Sequence, residues 1–127
     1  MCLTWRLDRH QNGLRPAERD IVFEVIRTSE PLFAKLVAAV VMDDHVHVLA
    51  RPESGTTGRR LARAWKGMSA QRLVKEQARA TPVWQRDYFD RWMHSPQQTA
   101  ACVSYIQRNP IRRWPQVMDY PWSLVRL

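Results

Sequence analysis

The segment "FAKLVAAVVMDDHVHVLARP" constrains the fold more than any other part of the chain. Two apolar runs of strand length are separated only by Asp43 and Asp44, so the backbone must reverse within two residues. An antiparallel hairpin is the expected result. His45 and His47 open its second strand at i, i+2 spacing, and strand alternation sends both imidazoles to the same face of a sheet. Taken alone, strand histidines are commonly satisfied by backbone or water, so the pair is a candidate metal site that needs a further donor.

The surrounding elements set the fold class. "CLTWRL" is short and rich in strand formers, and it ends in the polar turn "DRHQNG". "RPAERDIVFEVIRTSE" places Pro16 near its start, acids in its first turn and Ile21, Val22, Val25 and Ile26 at helical spacing. After the hairpin and the loop "PESGTTG", the stretch "RRLARAWKGMSAQRLVKEQARA" reads as a long helix with Leu61, Trp65 and Met68 as its apolar stripe. A fourth strand is expected around Tyr88–Trp92. A last helix, "PQQTAACVSYIQRN", has Pro96 at its head and is expected to stop at Asn109 before Pro110. The tail, "IRRWPQVMDYPWSLVRL", reads as irregular chain packed by Trp114 and Trp122. This order, βαββαβ followed by a helix, is that of an α+β ferredoxin-like sandwich with an additional C-terminal helix, in one domain over 1–127.

Composition limits the function. The 127 residues are 45% hydrophobic, enough for one core. No apolar run reaches membrane-spanning length, and the first residues lack the layout of a signal peptide. Cys2 and Cys102, a hundred residues apart, make neither a disulfide framework nor a zinc-ligand spacing, which fits a reducing cytoplasm. The net charge of +8 is unevenly spread. Residues 59–79 carry 7 basic side chains against 1 acidic, and residues 108–127 carry 4 against 1. Arg59, Arg60, Arg63 and Lys66 in the first block, with Arg112 and Arg113 in the second, are the expected contacts to a polyanion such as nucleic acid. A solvated helix face is the plainer reading of the same charges.

The last helix supplies the further donor. Tyr105 and Asn109 stand at i and i+4, one turn apart on one face. Two imidazoles and a carboxamide oxygen form a mixed N/O set suited to Mg²⁺ or Mn²⁺ with positions left for phosphate. Tyr105 would then be the candidate nucleophile on a phosphodiester. Tyr88 and Tyr120 have no potential ligand one helical turn on.

In this order, "VVMDDHVHVL", "VWQRDYFDRWMHS" and "SYIQRNPIRRW", closed by "DYPWSL", resemble the blocks of the REP-associated tyrosine transposases, members of the HUH group of single-strand transposases. The resemblance runs from about Thr4 to Ser123. It implies a ferredoxin-like fold, metal-dependent cleavage and rejoining of single-stranded DNA, and recognition of a DNA hairpin by a monomer or homodimer. By position, His45 and His47 match the HUH pair, Tyr105 the nucleophile and Asn109 the third ligand. The family usually has proline where Asp43 stands, and its chains usually carry residues before the first strand. A histidine-triad nucleotide hydrolase is excluded by Leu49, which occupies the place of the third histidine. A non-catalytic DNA-binding regulator derived from such a transposase is the alternative.

Overall fold

The computed structural model describes residues 1–126. Its elements are β1 (Cys2–Leu7), α1 (Pro16–Arg27), β2 (Ala34–Val41), β3 (His45–Pro52), α2 (Gly58–Gln77), β4 (Trp84–Arg91), α3 (Pro96–Arg113) and β5 (Ser123–Val125). One antiparallel sheet runs in the order β4-β1-β3-β2-β5. The hairpin is as tight as its sequence demands: the Met42 N–H donates to the His45 carbonyl at 2.8 Å across Asp43 and Asp44.

Alternation along the strands divides the molecule into two layers of side chains. Leu3, Trp5 and Leu7 of β1, with Val46 and Val48 of β3, face α1 and α2. Trp5 stacks on Trp65 of α2 at 6.0 Å and meets Trp84 edge-on at 6.2 Å. The opposite face carries Ala38, Val40, Met42 and Leu49 beneath Val103 and Ile106 of α3. His45 and His47 alternate with Val46 and Val48, so they share the α3 side.

Four sequence expectations change in detail. The tail is not irregular throughout. Ser123–Val125 forms β5 on the free edge of β2, held in place by the Tyr120 hydroxyl donating to the Val41 carbonyl at 2.6 Å and by Trp122 Nε1 donating to Asp20 at 2.6 Å. α3 does not stop at Asn109. It runs through Pro110 to Arg113, because burial of Ile106, Asn109 and Pro110 compensates for the one N–H that proline cannot give. Met68 is exposed, and the buried stripe of α2 is Leu61, Ala62, Trp65, Ser69 and Leu73. α2 also ends earlier than its composition suggests, at Gln77, where Ala78 turns left-handed (φ 56°).

That early stop has a cause. It sends the Arg79 guanidinium back to the fully buried Glu18 carboxylate, with nitrogen–oxygen distances of 2.5 and 2.7 Å, and to the carbonyls of Asn12 and Gly13. Glu18 also accepts the Arg15 N–H at 2.9 Å as part of the α1 cap. Burial alone would raise the Glu18 pKa. The hydrogen bonds from Arg79 and Arg15 outweigh it and hold the carboxyl at about 2. Because the folded pKa lies below the ordinary 4.5, this contribution is complete above about pH 4.5 and fades as pH falls toward 2. Glu18→Gln should therefore cost about 3 kcal/mol at pH 7 and flatten the loss of stability below pH 4.5. Denaturant unfolding of both proteins across that pH window measures it.

Candidate active site

The hairpin and β1 position the histidines. β1 pairs with β3 so that Thr4 stands opposite His47 and Arg6 opposite His45. The Thr4 hydroxyl is hydrogen-bonded to His47 Nδ1 at 2.6 Å. The ring's other nitrogen, Nε2, is buried and has no hydrogen-bond partner among the described residues. His45 is held in a parallel way. Its Nδ1 donates to the Asp44 carboxylate at 2.7 Å, and its Nε2 faces Asn109 Oδ1 at 3.2 Å. The two rings meet edge-on with centroids 5.1 Å apart.

Asn109 is aimed by its own helix. Its amide N–H donates to the Tyr105 carbonyl, one turn back, at 3.0 Å, which leaves Oδ1 to point at the histidines. Burial lowers the His45 pKa despite the neighbouring Asp44 carboxylate, which favours the neutral ring. With its Nδ1 proton committed to Asp44, the Nε2 lone pair then confronts the lone pairs of an amide oxygen. Two acceptors face to face, beside a third and orphaned imidazole nitrogen, make a set of lone pairs that a cation would satisfy. Among the described residues no three His, Cys, Asp or Glu side chains gather as a metal cluster, and the oxygen that stands at the histidine pair is the Asn109 amide Oδ1. Both imidazoles are oriented through Nδ1 and both offer Nε2, the arrangement expected of metal-binding histidines.

Tyr105 lies at the mouth of this group. Its ring packs edge-on against His47 with centroids 5.0 Å apart, and 44% of the residue is exposed. The Arg112 guanidinium sits 5.0 Å over the same ring. Tyr88 and Tyr120 are elsewhere, Tyr88 against the α1/α2 core and Tyr120 with its hydroxyl bonded to the Val41 carbonyl. The four residues expected to form the site, His45, His47, Tyr105 and Asn109, thus come together.

The basic residues divide. Arg112 is beside Tyr105, and Arg113 is paired with Asp43 at 2.8 Å while staying half exposed. Arg59, Arg60 and Arg63 are exposed on α2, across the sheet from the histidines. Lys66 differs from the expectation. Its ammonium donates to the carbonyls of Gln85 and Arg86 at 2.8 Å each, which ties α2 to β4 and occupies the charge.

Sequence reading missed several neighbours. Asp44 was visible as a carboxylate adjoining His45. Thr4 and Arg6 share a face by alternation in "CLTWRL", but only the β1–β3 register shows that this face is the histidines' own. The same holds for Cys2 and Cys102, which pack against one apolar cluster beneath α3. Cys102 beside it draws the Cys2 pKa down against the opposing effect of burial.

Known proteins share this fold and identify the family. The family model described as "Transposase IS200 like" matches residues 5–109. Among solved structures, a REP-associated tyrosine transposase bound to a REP hairpin is similar in fold, with a TM-score of 0.77 at 20% identity over 96% of this chain and 73% of that one. A Deinococcus radiodurans R1 protein described as a transposase superposes with a TM-score of 0.56 at 25% identity over 84% of this chain and 87% of that one. No curated protein matches. With most of its length matched by that family model, the chain belongs to the IS200-like transposase family.

Proposed function

We propose that this transposase-family protein cleaves and rejoins hairpin-bearing single-stranded DNA through a covalent bond to Tyr105, with a divalent metal held by His45, His47 and Asn109. The observation that carries the reading is the convergence of His45 Nε2, the orphaned His47 Nε2 and Asn109 Oδ1 next to an exposed tyrosine. Mg²⁺ or Mn²⁺ bound there would supply Lewis acidity to a phosphodiester oxygen. The protein's own residues do the rest. Tyr105 Oη attacks phosphorus as its proton passes to solvent at the open mouth of the site. One tyrosyl–phosphorus bond forms and the bond to the departing strand's oxygen breaks, that oxygen taking up a proton. Because one ester replaces another, a second strand end can reverse the step and be joined. Arg112 over the tyrosine ring and Arg6 beside His45 are placed to meet the phosphate charge. The hairpin substrate is supported by the REP hairpin bound in the structural relative, and by the exposed arginines of α2 as duplex contacts.

Four outcomes are expected. Tyr105→Phe retains the ring and deletes the nucleophilic oxygen, so oligonucleotide binding should persist while cleavage and the detergent-resistant protein–DNA adduct both vanish. A gel of boiled reactions with Mg²⁺, Mn²⁺ or chelator checks this; cleavage persisting in Tyr105→Phe would make water the nucleophile. Thr4→Val removes the hydrogen bond that orients His47 and should weaken Mn²⁺ binding roughly 10- to 100-fold by calorimetric titration. His45→Ala/His47→Ala should abolish that binding while thermal melting still shows a folded protein. Neutralising Arg59, Arg60 and Arg63 should reduce the slope of log affinity against log salt by about 0.7 to 0.9 for each phosphate that is no longer neutralised. An unchanged slope would move the duplex to the Arg112 side.

A further inference from the structure

The sheet face that carries the histidines is covered by α3 over β2 and β3. Its other half, on β1 and β4, carries Arg6, Asp87, Phe89 and Arg91 exposed around the buried Thr4. Thr4 is the hinge of the register there, opposite His47 on one side and opposite Phe89 of β4 on the other. Directly opposed residues of an antiparallel ladder share a face. Phe89 therefore stands in line with Thr4 and His47, two strands away, at about 10 Å from the imidazole by strand spacing. It is 72% exposed. On the same face, Arg91 follows it in register with Cys2, Asp87 precedes it, and Arg6 stands beside His45. Asp87's charge lies close enough to Lys66 to be felt there, whereas Arg6 and Arg91 are exposed on the sheet face without an ion-pair partner among the described residues.

A single exposed ring is ordinary on a protein surface, and what sets Phe89 apart is its neighbours. Here the chain's own α3 lies to one side, on β2 and β3. Two arginines flank the ring, and the metal donors and Tyr105 lie just beyond. Those neighbours fit one kind of occupant: a flat apolar group attached to a phosphate chain. We propose that Phe89 is a stacking platform for an unpaired base of the DNA strand that crosses β4 and β1 on its way to Tyr105, with Arg6 and Arg91 on the adjoining phosphates. This rests on the proposed single-strand chemistry and adds a positioning residue to it. Phe89 takes no part in bond making. It fixes which nucleotide lies at the metal donors. The placement also gives the strand a route, because β4 is the edge over which DNA gripped by the α2 arginines on the reverse side would pass to reach the histidines.

The test uses the full chain with chelator present and a DNA hairpin carrying an unpaired oligothymidine arm. One 2-aminopurine is moved along that arm. Stacking on Phe89 should quench its fluorescence at one arm position in the wild type. Phe89→Ala should remove that quench and weaken binding of the armed hairpin roughly 5- to 150-fold, the range for loss of one base–aromatic stack. Phe89→Trp should restore both. Binding of the hairpin without its arm should be the same for wild type and Phe89→Ala, and so should the melting temperature, because the ring is exposed. If Phe89→Ala keeps the quench and the affinity, the platform is refuted while the hairpin-binding reading stands on the wild type's own binding. Equal weakening on the armless hairpin also refutes it. If the wild type binds neither probe, both readings fall.

Discussion

Thr4 stands opposite His47 in the β1–β3 ladder, and the bond from its hydroxyl to the imidazole Nδ1, at 2.6 Å, is the join on which the two halves of the molecule depend. On one side of that ladder lie Leu3, Trp5, Val46 and Val48, which make the core with α1 and α2. On the other lie Thr4, Arg6, His45 and His47. A slip of one residue would exchange the sets, sending tryptophan to solvent and imidazoles into the core. The hydrophobic demand of Trp5 and its partners Trp65 and Trp84 therefore holds the histidines in place as firmly as any polar contact does. Core and chemistry are fixed by a single register.

That division also places charge. The arginines of α2 belong to the core layer's outer surface, and the polar site belongs to the opposite face. A ligand that used both would have to be long, flexible and anionic, and it would have to turn over an edge. Single-stranded DNA continuous with a short duplex meets that description, whereas a compact nucleotide does not. Lys66, drawn to the β4 carbonyls, fixes the edge itself and leaves the outward arginines to act.

Much of this was legible in the sequence because the signals were local. Asp43-Asp44 between two apolar runs dictated the hairpin, i, i+2 spacing dictated the shared face of the histidines, and i, i+4 spacing brought Tyr105 and Asn109 to one side of α3. What escaped depends on contacts between distant segments. Ser123–Val125 is too short to show alternation and becomes a strand only because β2 offers an unpaired edge. Pro110 reads as a helix stop until burial of the turn around it is known. Met68 has helical spacing with Leu61 and Trp65 yet turns outward, toward the apolar hollow it shares with Leu32 and Phe33. Thr4, Arg6 and Phe89 acquire meaning only from register, which no single strand encodes.

Asp43 illustrates a different kind of dependence. Proline is usual at this corner in the resembling family and would stiffen it through the chain itself, whatever the solvent. Here the corner is instead tied by the carboxylate of Asp43 to the guanidinium of Arg113 at the end of α3, across a partly exposed gap of 2.8 Å. The two walls of the candidate site, the hairpin bearing His45 and the helix bearing Asn109, are thus braced by an electrostatic strut rather than a covalent one. Such a strut softens as ions screen it. The rigidity of this corner becomes a property of the medium as well as of the protein, and a DNA phosphate arriving at Arg113 would compete for the brace it lands on.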